Sequence, residues 1–135
     1  MGLDSSTILY YNVHIYIAMQ DRRRLVIPTQ MLKGILSGCV LAVIARQDAY
    51  GYEISQKLSE YGFGSISEGT VYPLLLRLEK GGLIAASYRE SPSGPNRKYY
   101  SVTEAGQAEL SAFLRSFGEL SAAVRRLTEE MEAGK

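Results

Sequence analysis

The chain has 135 residues, 46% of them hydrophobic, with 15 Lys and Arg against 14 Asp and Glu and a formal net charge of +1. That length suits one domain with a real but small core, and no run approaches the ~18 consecutive apolar residues that a membrane span needs. One cysteine, Cys39, and one histidine, His14, leave neither a disulfide framework nor a Cys/His metal centre to build, so a buried thiol in a reducing, cytoplasmic setting is expected.

Residues 1–26 stand apart. "STILYYNVHIYIA" is β-branched and tyrosine-rich, and reads as strand or as a disordered extension with no obvious partner. The apolar run from Ile8 to Met19 is broken by Asn12 and His14, follows no basic segment and precedes no small-residue cleavage site, so no secretion signal is expected. Met19 offers an alternative start. In "PTQMLKGILSGCVLAVIARQ", Pro28 suits a first helical turn, and Leu32, Ile35, Leu36, Cys39 and Val43 recur at helical spacing. This predicts one core helix ending near Arg46–Asp48. "AYGYEISQKLSEYG" predicts a short amphipathic helix with a stripe of Ile54, Leu58 and Tyr61, stopped by Gly62. Ser67 caps a third helix, with Glu68 in its first turn and Val71, Leu74, Leu75 and Leu78 on its buried face; Gly81-Gly82 end it.

The period then changes. "LIAASYRE" and "RKYYSVT" predict two strands, and "SPSGPN" between them predicts a long hairpin tip. Thr103 caps a last helix running to about Met131. Helix, helix, helix, hairpin, long helix is the order of a winged helix-turn-helix. The fold class expected is therefore mainly α with a small β-hairpin: residues 27–102 as the DNA-binding domain and 103–135 as a C-terminal dimerisation helix. This reading accounts for "SEGTVYPLLLRLEKGGLI", where small, hydroxyl and aromatic residues come first and leucines later. A helix that enters a groove by its N-terminus needs small hydrogen-bonding residues there, and its later turns pack on the core. Pro73 would crowd the carbonyl of Gly69, the least bulky neighbour. Basic groups cluster at Arg22-Arg23-Arg24 and Arg97-Lys98. Residues 1–102 carry 11 basic and 8 acidic side chains, while residues 103–135 carry 4 and 6. The sequence has no glycine-rich phosphate loop, nucleophile–His pair or paired carboxylates at useful spacing, so no enzyme, cofactor or metal is expected.

"YGYEI", "SEGTVYPLLLRLEKGGLI" and "GPNRKYYSVTEAG" together resemble the signature segments of PadR-like transcriptional regulators, over roughly residues 31–106. The single last helix resembles the short subfamily. The resemblance implies a dimeric, cytoplasmic winged-helix repressor that binds palindromic operator DNA and is released by a small-molecule effector. By position it maps recognition-helix contacts onto Ser67, Glu68, Gly69, Thr70, Tyr72 and Arg77. Wing contacts map onto Arg97 and Lys98, and the start of the second helix onto Tyr50 and Tyr52. Tyr72 packing beneath its helix, Arg77 pairing with acids and Arg97-Lys98 as a mere charged strand end stay open as alternatives.

The last helix carries its own signal. Leu110, Phe113, Phe117, Leu120, Val124, Leu127 and Met131 follow alternating three- and four-residue steps, an a/d seam that predicts pairing with a second copy. Phe113 and Phe117 are its aromatics. Short multidrug regulators of the family stack planar compounds on an aromatic at the position of Phe117, which implies a planar hydrophobic effector here; those members carry Trp, and this chain has none. A winged-helix protein–protein module without DNA contact is the competing class. Arg77, Arg89, Arg97 and Lys98 argue against it.

Overall fold

The apolar period predicted as one helix from Pro28 divides in two. The structure, a computed structural model, describes residues 27–133; the 1–26 extension with His14, Met19 and Arg22-Arg23-Arg24 lies outside the described residues. Helix α1 covers Thr29–Leu32 and α2 covers Leu36–Arg46. The break falls at Lys33–Ile35, where Ile35 N donates to the Leu32 carbonyl at 3.0 Å. Gly34, a poor helix former, sits in the break with open space around its Cα, so packing does not carry the helix through it.

Helix α2 supplies the centre of the core, with Val40, Leu41 and Ile44 at most 1% exposed. Cys39 is half-buried and its thiol pKa is pushed up by burial, which keeps it protonated and unreactive. Strand β1 (Ala49–Tyr50) follows, then α3 (Gly51–Glu60). The Glu53 carboxylate accepts from Tyr50 N at 3.2 Å, occupying a donor at the start of α3. Ile54 and Leu58 are buried as their spacing predicts, but Tyr61, predicted in the same stripe, is 59% exposed. Tyr61 lies past the last helical turn, where the stripe no longer faces the core; the Arg46 guanidinium sits 5.9 Å from its ring centroid instead. Gly62 has φ 101°, the left-handed conformation that ends a helix.

Helix α4 (Glu68–Lys80) begins at Ser67, whose hydroxyl accepts from Thr70 N at 3.2 Å. Val71, Leu74, Leu75 and Leu78 are buried on its inner face, each worth about 1.5–3 kcal/mol of apolar burial. The preceding turn is tied down by Ile66, buried, whose carbonyl accepts from the Ser55 hydroxyl.

Strands β2 (Ile84–Ser91) and β3 (Gly94–Val102) form the hairpin. The six-residue tip read from "SPSGPN" shrinks to Pro92-Ser93, with a register shift between Arg89 and Ser91. Pro95 lies beyond the Tyr99–Tyr100 segment that pairs with β1, next to the irregular stretch of the β2–β3 ladder and outside its register pairs, where a missing N–H is tolerated. The sheet order is β1-β3-β2, all antiparallel. Helix α5 (Glu104–Ala133) is capped as expected: the Thr103 hydroxyl accepts from Gly106 N at 3.0 Å and donates to the Gly82 carbonyl at 2.7 Å. A side chain at Gly106 would strike the Leu83 carbonyl, so the helix start sits tight against the entry to β2.

Residues 27–118 form one compact unit, with its core drawn from α1 to α5 and the sheet. The predicted seam on α5 is split. Leu110 is buried in this core, and the Phe113 ring lies directly on Gly38 of α2. Phe117 is 43% exposed. Beyond it, Leu120, Val124, Leu127 and Met131 are 51–66% exposed. Among the described residues, no helix is long and apolar enough to cross a membrane.

Candidate nucleic-acid interface

Strand β1 is only two residues long, yet it positions the site. Pairing of Tyr50 with Tyr99 and Ala49 with Tyr100 pins the first turn of α3 beside β3. The first turns of α4 lie against both. The result is an open groove of about 520 Å³ lined by Tyr50, Gly51 and Tyr52 from the start of α3, by Glu68, Gly69, Tyr72 and Leu75 from α4, and by Arg97, Lys98 and Tyr100 from β3. Tyr72 is 57% exposed and so does not pack beneath its helix. Its partner in the groove wall, Tyr52, is 51% exposed and accepts a hydrogen bond from Gln56 Nε2 at 3.0 Å.

The two wing cations point to opposite sides of β3 and are held differently. The Arg97 guanidinium lies 4.6 Å from the Tyr50 ring centroid. Tyr50 packs on Tyr99 at 5.3 Å, and Arg89 covers Tyr99 at 4.4 Å while bonding Asp48 at 2.7 Å. This stack holds the Arg97 guanidinium against an aromatic ring, and no acid among the described residues pairs with it, which suits it for a planar or anionic partner. Lys98 instead bonds the Glu79 carboxylate of α4 at 2.9 Å, with Tyr100 at 5.4 Å. Its pKa is raised, chiefly by the hydrogen bond to Glu79, so it is fully charged at neutral pH.

Of the residues mapped onto DNA from the sequence, Tyr50, Tyr52, Glu68, Gly69, Tyr72, Arg97 and Lys98 come together in the groove. Ser67, Thr70 and Arg77 do not line it. The hydroxyls of Ser67 and Thr70 face one another at 3.1 Å in the cap. Arg77 is exposed on α4 and forms no ion pair with another described residue. Sequence reasoning missed Tyr99, Tyr100, Asp48 and Glu79. Alternation along "RKYY" was the available signal, because it sends Arg97 and Tyr99 to one face and Lys98 and Tyr100 to the other. On α5, the Phe113 and Phe117 rings stack at 6.0 Å and 23°, leaving a face of Phe117 open. Leu114, 57% exposed beside them, widens the apolar face beyond the predicted seam.

Helices α2, α3 and α4, the turn between α3 and α4, and a hairpin packed beside α4 define a winged helix-turn-helix protein whose helix starts and wing share one groove. The chain belongs to the PadR-like family of transcriptional regulators: the family model described as "Transcriptional regulator PadR-like family" matches residues 40–112. It is similar to a PadR-like transcriptional regulator of Bacillus cereus, 47% identical, covering 74% of this chain and 97% of that one at a TM-score of 0.68. It is 37% identical over 82 residues to transcriptional regulator Rv3488 of Mycobacterium tuberculosis, covering 61% of this chain and 75% of that protein. The Bacillus subtilis PadR solved in complex with operator DNA is 26% identical, covering 59% of this chain and 46% of that one at a TM-score of 0.55.

Proposed function

We propose that the chain acts in the cytoplasm as a homodimeric, sequence-specific repressor that docks the N-terminal turns of α4 and the wing onto palindromic operator DNA. The observation that carries this reading is the convergence of three separate elements on one groove, with exposed aromatics, a backbone-open Gly69 and a pre-set Arg97. The N-terminus of α4 adds partial positive charge there. That the Bacillus subtilis relative is solved in complex with operator DNA supports operator DNA as the partner. Dimerisation would cover the exposed Leu120, Val124, Leu127 and Met131. A planar hydrophobic effector would stack on the open face of Phe117, gaining about 0.5–1.5 kcal/mol beyond burial.

The reading is tested by titrating the full chain against duplex DNA across a salt series. Affinity is expected to collapse as salt rises, and Arg97→Gln to flatten the log–log slope by about 0.9, the share of one phosphate. Tyr72→Ala is expected to weaken binding to a selected operator by about 1–3 kcal/mol. Folded protein that binds no duplex at low salt would favour the protein–protein module instead. For the effector, saturable binding of planar aromatic cations that Phe117→Ala abolishes is the expected result; no binding across such a panel removes the effector from the proposal.

A further inference from the structure

The groove is nearly balanced in charge. Arg97 and Lys98 line it, but so does Glu68, and Lys98 is bonded at 2.9 Å to Glu79 near the C-terminal end of the same recognition helix. The pair is neither buried nor free: the Lys98 and Glu79 side chains are 28% and 34% exposed. A phosphate can therefore reach Lys98, but only by sharing it with a carboxylate, which repels the phosphate, or by displacing that carboxylate. Arg97 pairs with no acid among the described residues, and its guanidinium lies against the Tyr50 ring. Arg89, which lies opposite Arg97 in the β2–β3 ladder, is spent on Asp48 at 2.7 Å. Of the three wing cations, then, two carry an acidic partner.

We infer that Glu79 is a specificity-determining residue of the DNA interface: by pairing with Lys98 it withholds a wing cation from the phosphates of any-sequence DNA and releases it only to a docked operator. The inference rests on the DNA-binding reading above. Non-specific affinity comes from counterion release and scales with the phosphates neutralised. A cation already paired releases no counterion on contact, so random duplex gains little from Lys98. An operator that also satisfies the Tyr72 and Gly69 region can supply the free energy needed to exchange Glu79 for a phosphate. The ratio of specific to non-specific binding rises, although neither Glu79 nor Lys98 needs to touch a base.

The experiment uses the full chain and a labelled random-sequence duplex of about 30 base pairs, read by fluorescence anisotropy from about 50 to 300 mM salt. Glu79→Gln is expected to bind roughly three- to ten-fold more tightly at about 100 mM salt, with the slope steeper by about 0.9. The double variant Glu79→Gln/Lys98→Gln should return to the wild-type slope. Lys98→Gln alone should leave the salt slope for random duplex near wild type, although the freed Glu79 carboxylate lowers affinity, whereas Arg97→Gln loses a full phosphate's share of the slope. That comparison needs no Glu79 variant and stands even where one fails to fold. An unchanged slope in folded Glu79→Gln, or a loss of slope in Lys98→Gln equal to that in Arg97→Gln, overturns the inference and leaves the pair a structural clamp. Wild-type protein without salt-dependent duplex binding overturns the DNA reading itself, and this inference with it.

Discussion

Gly69 separates a structural requirement from a functional one within a single turn of α4. A Cβ built at Gly69 would meet only Ser67 Oγ at 3.6 Å, an ordinary contact, so the free protein has room for a side chain there. Its backbone conformation is helical, with none of the positive φ seen at Gly62, Gly64 and Gly82. Glycine in a helix is less favourable than alanine by about 1 kcal/mol. Among the described residues no side-chain contact requires glycine there; beside the room it gives Pro73, the groove supplies a reason, since backbone without a side chain admits the closest approach of a partner. Gly69→Ala is therefore expected to raise the thermal midpoint, by about 0.4–1 kcal/mol of stability, and to weaken duplex binding at least ten-fold. Melting and anisotropy on the same preparation check both halves; unchanged binding would place DNA away from Gly69. The neighbouring Ser67→Ala should behave in the opposite sense. It removes the acceptor for Thr70 N and is expected to cost about 1 kcal/mol of stability, with binding lost only in proportion to the cap.

At the scale of elements, the contacts around α4 and the wing are carried by a few polar groups on an apolar base. Thr103 links the end of α4 to the start of α5 by donating to Gly82 and accepting from Gly106, and Thr103→Val, which leaves both groups unpaired, is expected to cost about 1–2 kcal/mol in denaturant melts. The wing is joined to α4 by Lys98, Glu79 and Tyr100. The Lys98 pKa is raised chiefly by Glu79, and the Tyr100 hydroxyl pKa is raised chiefly by burial. Both groups hold their protons more tightly folded than unfolded, so the stability they add is complete below their ordinary values and fades as pH rises through the folded ones. Melting midpoints should hold through neutral pH and fall above about pH 10, less steeply in Lys98→Gln. These elements were legible in the sequence to different depths, for physical reasons. The inner face of α4 could be read from Val71, Leu74, Leu75 and Leu78, because burial on one side of a helix imposes a period long enough to see. Strand β1 could not, since two residues make no alternation, and without it the approach of Tyr50 to Tyr99 and Arg97 is invisible. The break at Gly34 was hidden because Leu32 and Leu36 keep helical spacing across it. The pairing of Lys98 with Glu79 depends on how β3 lies across α4, which no local pattern encodes.

At the scale of the whole molecule, the C-terminal helix sets how recognition surfaces would be counted. Its first turns belong to the domain that holds them: Leu110 is buried and Phe113 lies on Gly38, so cutting either is a core lesion, with Phe113→Ala expected to cost about 3–5 kcal/mol. Leu120, Val124, Leu127 and Met131, by contrast, stand 51–66% exposed at a/d spacing. Four large apolar side chains exposed in one row on a helix suit pairing, and a second copy with the same row is the simplest cover for them. Leu120→Asp tests this without touching the domain core. In a monomer the new carboxylate would sit in water and cost little; in a paired seam it would be an unpartnered buried charge, expensive enough to open the interface. The variant is expected to keep its melting cooperativity and helix content and to sediment as a monomer where the wild type is a dimer. Binding to a palindromic operator should then fall by roughly 100-fold or more, because the second half-site is no longer held near the first, while binding to an isolated half-site stays within about two-fold. Half-sites spaced about one helical turn, or a multiple of it, are the spacing such a pair would require. A wild-type chain that sediments as a monomer at micromolar concentration, or a Leu120→Asp variant that binds the palindrome as tightly as the wild type, would show that each copy reads DNA alone and that the exposed row on α5 serves something other than pairing.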